Sequence, residues 1–326
     1  MTGRVMKILA MSLALILFIT GTGIFIAPKL FPDAHKSLMT SEAADGIFNE
    51  RVNTVDFLVI GDSETYTSVS PMEIFNKYGY TGYVSGVPAM KIQDIYSNLD
   101  DIYKTQKPKV VLFEANAIFR KTGNKFKQIQ LTVETWVGRI SVPFNKWNNN
   151  ILDSFDIKYV EMKNEAAKET DFLKGFDYRP VLKAYSGEQW MHVSNKKETI
   201  PSINVAYLNK IVELCRINGS ELILYSAPAP KNWTYEKHNA IQYYADNNNI
   251  EYLDMNLFAD KIGMDWSKDS ADKGDHLNFN GAQKTTAYIG GYLNENCDLL
   301  DHRGDSRYDS WNKAWYKYLK ETEQIS

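Results

Sequence analysis

The sequence has few of the residues that build metal centres and disulfide frameworks. Only two cysteines, Cys215 and Cys297, occur among 326 residues, and the five histidines are scattered along the chain. No cysteine pair has the short spacing of a structural zinc site, and no histidines cluster. We therefore expect no metal and no other cofactor. We also expect two buried thiols rather than a disulfide, although an oxidising compartment would permit one.

An excess of charge of one sign is missing as well. The 37 basic and 40 acidic side chains leave a formal net charge of −3, so no basic surplus favours a nucleic-acid partner. Hydrophobic residues make up 44% of the chain, which is enough for a substantial core. A chain of this length fits one large domain, or a domain that carries an inserted subdomain.

One long stretch without charge lies near the N-terminus, over residues 8–27, and it is long enough to cross a bilayer. Arg4 and Lys7 precede it. The positive-inside rule therefore places residues 1–7 in the cytoplasm and the chain after the apolar run outside it. A cleaved signal peptide is the alternative, but the run is long for one and lacks a good cleavage site. We predict a single-pass membrane protein whose residues 28–53 form a juxtamembrane linker.

Strand-like and helix-like segments alternate from residue 54 onward. The predicted strands are 55–60, 81–85, 109–113, 221–226 and 250–253. The predicted helices between and after them are 71–78, 91–105, 203–217, 234–247 and 280–294. Repeated strand–helix units predict the α/β class, here a three-layer α/β/α sandwich with a mostly parallel, flavodoxin-like sheet.

Two segments depart from this alternation. Residues from about 120 to 200 lose it and carry three tryptophans, so we predict an insertion or lid within a catalytic domain spanning 54–302. The tryptophans are Trp136, Trp147 and Trp190. The tail, 303–326, has apolar residues spaced for an amphipathic helix, and we expect this helix to pack on the core rather than to bind a partner.

A serine and a histidine far apart in the sequence are the candidates for chemistry. The first strand ends in Gly61-Asp-Ser63, which puts a hydroxyl at the carboxyl end of the sheet, where open α/β folds place their sites. His276 suits the role of a base, since its ordinary pKa lies near neutrality. Asp272 or Asp275 could orient its ring. The two ends of the chain would form one site if the sheet brings them together.

Acyl chemistry also needs donors for a developing oxyanion. The candidates are the backbone N–H groups of Ser63 and Gly86 and the side chain of Asn116, which follows the third predicted strand. Each feature alone has a simpler explanation as a turn residue or a structural polar group. Their order along the chain, each at or near a strand end, favours a site.

These segments together resemble the SGNH, or GDSL-like, hydrolases and acyltransferases. The matching segments are Gly61-Asp-Ser-Glu64, Gly86, Glu114-Ala-Asn116 and Asp272-Lys-Gly-Asp-His-Leu-Asn278. The resemblance covers roughly 55–119 and 203–295. It implies that Ser63 is the nucleophile, that Gly86 and Asn116 are oxyanion donors, and that His276 is the base.

The chain departs from the pattern of that family at three places. Glu64 stands where many members have leucine, and Asn116 lacks the usual following aspartate. Lys273 occupies the position, three residues before the histidine, where the family carries its aspartate. Asp272 can serve instead if Gly274 absorbs one extra residue, and we prefer it to the adjacent Asp275.

The predicted membrane anchor decides which branch of the family the chain is most similar to. It resembles the tethered branch related to the teichoic-acid D-alanylation protein DltD and to alginate and peptidoglycan O-acetyltransferases. That resemblance implies a multi-pass membrane-bound O-acyltransferase as partner and a cell-surface polysaccharide or teichoic-acid-like acceptor. We expect an extracytoplasmic serine O-acetyltransferase. An esterase with the same residues and a non-catalytic membrane-anchored scaffold are the alternatives.

Overall fold

The computed structural model describes residues 42–121, 171–322 and 324. The predicted anchor at 8–27 lies outside these residues, as do Trp136 and Trp147. Within the described ranges no helix is both long enough and apolar enough to cross a membrane. The anchor and the membrane location therefore stay predictions.

One parallel sheet organises the described residues, with the strand order β2-β1-β3-β4-β5. The strands are β1 Phe57–Gly61, β2 Gly82–Gly86, β3 Val110–Glu114, β4 Glu221–Ser226 and β5 Glu251–Asp254. The order is flavodoxin-like, and the direction of winding reverses between β1 and β3. The predicted α/β class is confirmed.

Helices follow the strands close to where the sequence predicts them. They are α1 Glu42–Asp45, α2 Ser63–Ser68, α3 Pro71–Tyr78, α4 Ile92–Ile102, α5 Ser202–Asn218, α6 Tyr235–Asn248, α7 Ala259–Ile262, α8 Phe279–Asn296 and α9 Asp309–Glu321. Single turns of 3₁₀ helix span Gly46–Asn49, Ala115–Phe119 and Ser306–Tyr308.

The sheet separates two apolar cores, because successive side chains of a strand point to opposite faces. Leu58 and Ile60 of β1 face one core, which α4 and α5 cover. Phe57 and Val59 face the other, which is covered in part by Ile289 of α8. Helices thus lie on both faces, and the three-layer sandwich predicted from the sequence is confirmed.

The segments flanking the sheet also pack on it. Ala44 and Ile47 fall in the range predicted as linker, yet they are 1% and 0% exposed and belong to the first core. The tail contributes α9, whose fully buried Trp311 lies 5.7 Å, between ring centroids, from Phe75. Ala44 and Ile47 therefore belong to the folded domain rather than to a linker. Both cysteines are free thiols, but only Cys215 is buried as expected; Cys297, after the end of α8, is half-buried.

The described part of the predicted insertion, residues 171–200, contains no helix or strand. It binds instead through its backbone to the elements around the carboxyl ends of the strands. Its Asp177 N–H donates to the carbonyl of Tyr66 in α2 (2.9 Å), and the carbonyl of Arg179 accepts from Phe279 at the start of α8 (2.8 Å). The segment thereby connects the helix that carries Ser63 with the loop that carries His276.

Candidate active site

Ser63 lies at a sharp strand-to-helix turn. A Cβ at Gly61, whose φ is +152°, would lie 2.3 Å from the Thr65 hydroxyl, so the turn requires glycine. Asp62 then caps α2 by accepting the Glu64 N–H (3.2 Å). Ser63 is the first residue of α2 and 9% exposed, and its N–H has no acceptor within the helix. Its oxyanion role stays a prediction, which this position at the helix start permits.

Gly86 lies beside this turn at the end of β2. It is paired in register with Gly61, and a Cβ on it would come within 3.0 Å of the Asp62 carbonyl oxygen. A Cβ there would be closer than ordinary contact, so the neighbouring backbone would have to shift by a few tenths of an ångström. The second predicted oxyanion residue thus reaches the start of α2 because the two glycines allow close backbone approach.

Asn116 reaches the same place from β3. Its backbone N–H donates to the Glu114 carboxylate (2.9 Å), which fixes the 3₁₀ turn after the strand. Its side-chain Nδ2 lies 3.5 Å from Oδ2 of Asp62, the residue before Ser63. The three predicted oxyanion residues therefore lie on neighbouring strands around the point where the winding reverses.

The loop before α8 shows which of the two candidate aspartates contacts the His276 ring. Lys273 and Gly274 both adopt left-handed backbone, with φ of 69° and 89°, and they fold the extra residue into a tight turn. The Asp272 carboxylate thereby accepts the backbone N–H of His276 (2.6 Å) and lies 2.6 Å from its Nδ1. Asp275 is 3.9 Å from the same Nδ1. Asp272 is the carboxylate positioned to orient the ring.

The Asp272–His276 pair is set for base catalysis. Burial acts to raise the pKa of Asp272, but hydrogen bonds from the His276 backbone and ring outweigh it and hold that pKa below its usual value. An ionised Asp272 would stabilise the imidazolium that forms when His276 takes a proton. The other nitrogen, Nε2, is buried and has no hydrogen-bond partner among the described residues.

The structure brings His276 to the start of α2 without bonding it to Ser63. One carboxylate oxygen of Glu64, one of Asp275 and one ring nitrogen of His276 all lie within 4.8 Å of one another, and Glu64 directly follows Ser63. Catalytic hydrogen bonds are often long until substrate binds. The serine and histidine predicted from opposite ends of the chain therefore share one edge of the sheet.

Sequence reasoning missed several polar residues that surround this pair. Asn232 donates through Nδ2 to both Glu64 and Asp275, 2.5 Å from each carboxylate oxygen. Burial, with the neighbouring Asp62, raises the pKa of Glu64 well above its usual value. Arg120 forms an ion pair with Asp62. Glu64 inside an otherwise matching motif was a usable signal, whereas nothing in the sequence marked Asn232 or Arg120.

The cluster of Glu64, Asp275 and His276 has the donor types that bind a divalent transition metal. The Asn232 amide, however, already donates to both carboxylates, so a cation would have to displace it. His276 is also the candidate base for Ser63. The donor set therefore fits a hydrogen-bonded network better than a resident metal.

No protein-family model matches the sequence, and no curated protein is similar to it. Solved structures with a related architecture include a protein assigned as an acylhydrolase from Bacteroides fragilis. The two sequences are 13% identical, the alignment covers 80% of this chain and 97% of that chain, and the TM-score is 0.40. A GDSL-like lipase from Bacteroides thetaiotaomicron shows 13% identity, 82% and 97% coverage, and a TM-score of 0.36. TesA shows 12% identity, 73% and 98% coverage, and a TM-score of 0.37. These values are too low to assign an activity to this chain.

Proposed function

We propose that this chain is an SGNH-type serine acyl-transfer enzyme. The observation that carries the proposal is the orientation of His276. Asp272 holds its Nδ1, its buried Nε2 has no partner among the described residues, and one of its ring nitrogens lies within 4.8 Å of a carboxylate oxygen of Glu64, which follows Ser63. A structural histidine ordinarily uses both nitrogens, whereas a general base needs one left for its substrate proton.

The proposed reaction proceeds in two halves. The Ser63 oxygen attacks the carbonyl carbon of an acyl donor while its proton passes to His276 Nε2. The oxyanion is held by the N–H groups of Ser63, Gly86 and Asn116. The leaving group departs with the proton from His276, which gives acyl-Ser63. An acceptor hydroxyl then loses its proton to His276 and attacks the ester carbonyl, and Ser63 leaves with that proton from His276.

We further propose that the acyl group is acetyl and the acceptor a cell-envelope polysaccharide or related polymer, with a membrane-bound O-acyltransferase supplying the donor. Support comes from the predicted anchor at residues 8–27 and from the resemblance to the tethered branch of the family. Tethering would raise the effective concentration of the enzyme near both the donor and the acceptor.

A test uses the full-length chain, p-nitrophenyl acetate and intact-protein mass spectrometry. We expect one acetyl adduct that maps to Ser63, persists in water, and is absent in Ser63→Ala. Loss of the adduct on addition of an acetyl-accepting polysaccharide would support transfer. Unchanged nitrophenolate release by Ser63→Ala would contradict the proposed nucleophile.

An esterase with the same residues is the second candidate. The side chains of Asp272 and Asp275 are 31% and 39% exposed, so water has access to the loop that carries His276. Water would then replace the sugar hydroxyl as acceptor. Rapid turnover of p-nitrophenyl acetate without a trapped adduct would favour this candidate, because the acetyl-Ser63 ester would be hydrolysed as fast as it forms.

A further inference from the structure

Lys237 of α6 reaches into the site, although no motif pointed to it. Its half-buried ammonium donates to the side-chain oxygen of Asn116 (3.1 Å) and to the backbone carbonyl of Asn232 (2.5 Å). We propose that Lys237 is a positioning residue that fixes the Asn116 amide with its N–H groups toward Ser63. The inference rests on the proposed function, since it requires Asn116 to be an oxyanion donor.

The chemistry of an ammonium makes this contact directional. A lysine ammonium carries only donors, so the atom of Asn116 that faces it must be the carbonyl oxygen. The opposite rotamer would set the amide N–H groups against the ammonium, donor against donor. With Lys237 in place, Nδ2 points to the Asp62 side, where it lies 3.5 Å from Oδ2. Asp62 accepts at most one of the two N–H groups, which leaves the other for an oxyanion at Ser63.

The position of Lys237 is itself fixed by the start of α6. Thr234 caps the helix, and its hydroxyl oxygen accepts the Lys237 N–H at 3.3 Å. The neighbouring Trp233 Nε1 and His238 Nδ1 both lie 2.9 Å from Oδ2 of Asp254, at the end of β5. The ammonium therefore projects from a helix end that is anchored to the sheet.

The carbonyl contact adds a second consequence. Asn232, whose carbonyl accepts from Lys237, also uses its side chain to bridge Glu64 and Asp275. Lys237 thus connects the oxyanion side of the site with the histidine side. Both contacts are made at the carboxyl edge of the sheet, where the predicted chemistry takes place.

A different role for Lys237 would be simple balance of charge. Burial lowers the pKa of its ammonium, and carboxylates including Glu198 and Glu114 act in the opposite direction. If Lys237 only offsets these carboxylates, its removal should weaken the site whether or not Asn116 is present. If Lys237 acts through the Asn116 amide, removing Lys237 should weaken the site only when Asn116 is present. A double-mutant cycle separates these roles.

The experiment measures phosphonylation of Ser63 by a fluorophosphonate probe, which loses fluoride on attack and needs neither acyl donor nor acceptor. The limiting rate and the half-saturating probe concentration are obtained for the full-length chain and for Lys237→Met, Asn116→Ala and the double variant. Methionine keeps the packing volume beside the Trp233 ring, which lies 5.7 Å from the ammonium. We expect Lys237→Met to lower the limiting rate about tenfold, with the half-saturating concentration within about twofold.

In the Asn116→Ala background, we expect Lys237→Met to change the rate by less than about twofold. Lys237→Arg, which keeps charge and donors, should retain most of the rate. Lys284→Met is the matched control, because Lys284 bonds the carbonyl of Gly263 and the carboxylate of Asp269, away from Asn116. Its effect should be the same in both backgrounds. If Lys237→Met fails to fold, Lys237→Gln takes its place in the cycle.

An equal effect of Lys237→Met in both backgrounds would overturn this inference and leave the proposed function intact. A normal rate in Asn116→Ala alone would instead overturn the oxyanion role of Asn116, and the inference with it. The two failures are therefore distinguishable in one set of rates.

Discussion

Both edges of the sheet carry histidines paired with aspartates: His238 pairs with Asp254 at the end of β5, and two further pairs, one at each edge, differ in what surrounds them. His276 and Asp272 lie at the carboxyl edge, beside the helix that Ser63 begins. His302 pairs with Asp56, which precedes β1 at the opposite edge (3.1 Å from Nε2 to Oδ1). A histidine–aspartate pair is therefore not by itself evidence of catalysis.

The pair at the amino edge takes part in several contacts of the fold. Asp56 also accepts from the N–H and hydroxyl of Thr81, at 3.0 and 2.9 Å. The His302 ring stacks on Tyr308 with centroids 3.9 Å apart, and its backbone N–H donates to the carbonyl of Gly79 (3.0 Å). These contacts connect β1, the start of β2 and the tail. They support a structural role for this pair.

The pair at the carboxyl edge includes a ring nitrogen without a hydrogen-bond partner among the described residues, and other acidic side chains lie close to it. The buried Nε2 of His276 lacks a partner within the described residues, and burial raises the pKa of Glu64 well above its usual value. Buried polar groups are normally satisfied, so an exception requires an explanation. Proteins keep such groups where function needs them. The difference between the edges favours the carboxyl-edge pair as the one that would act in the proposed reaction.

The largest effect should come from the reacting residues of the carboxyl edge. We expect Ser63→Ala and His276→Ala each to lower turnover of p-nitrophenyl acetate about ten-thousand-fold, because neither residue works without the other. For the same reason the double variant should lose no more than either single variant. Effects that multiply in the double variant would show that the two residues do not form one unit.

Replacing the two candidate carboxylates should give the next largest difference. Asp272→Asn should lower turnover about a thousandfold, since the amide cannot stabilise the imidazolium and can hold the wrong tautomer. Asp275→Asn, the matched control three residues away, should cost less than about tenfold, since Asp275 lies 3.9 Å from Nδ1. A larger loss for Asp275→Asn would reverse the assignment of the orienting carboxylate.

Removal of one oxyanion donor should have a smaller effect. Asn116→Ala should lower the turnover number about a hundredfold, with KM changed little, because the amide would bind the transition state rather than the ground state. The measurement is steady-state turnover of p-nitrophenyl acetate. A change confined to KM would mean that Asn116 binds the ester without stabilising the oxyanion.

The raised pKa of Glu64 predicts a pH-dependent stability. The folded chain keeps the Glu64 proton at pH values where the unfolded chain has released it, so wild-type stability should fall as pH rises above about 4.5. Glu64→Gln should remove the part of this dependence that Glu64 contributes, at most about 1.4 kcal/mol per pH unit, and leave the part from Glu114, whose pKa burial also raises. Urea unfolding of both proteins from pH 4 to pH 8 measures it. Parallel pH profiles would show that Glu64 ionises normally in the fold.

The smallest effect should come from the amino edge. His302→Ala should lower the free energy of unfolding by about 1–3 kcal/mol, because it leaves the partly buried Asp56 carboxylate short of a partner. Ester turnover should stay within about twofold of wild type. Urea unfolding and the p-nitrophenyl acetate assay check both quantities. A large loss of turnover with unchanged stability would give the amino edge a part in the chemistry.

Much of the fold and part of the site could be predicted because the signals are local. An apolar strand that ends in glycine and serine, and an asparagine after another strand, mark the carboxyl edge without any knowledge of packing. Asp272 could be preferred because Gly274 can adopt left-handed backbone, and the turn shows that Lys273 adopts it as well.

The remaining residues could not be predicted because they reach the site through tertiary packing. Lys237 lies on the first turn of a helix whose sequence reads as an ordinary amphipathic segment, and its partner Asn116 is 121 residues away. Asn232 bridges two carboxylates that are also remote in sequence. Such contacts depend on where α6 packs against the sheet, which no local pattern specifies. The same limit explains why residues 42–49 were predicted as linker.

The most direct test of the central claim compares the two histidines in one assay. A fluorophosphonate probe is applied to the full-length wild type, His276→Ala and His302→Ala, and the modified residue is mapped by mass spectrometry. We expect modification at Ser63 in the wild type and in His302→Ala at rates within about twofold, and a loss of about a thousandfold or more in His276→Ala. Equal labelling of Ser63 in His276→Ala and the wild type would contradict a shared site.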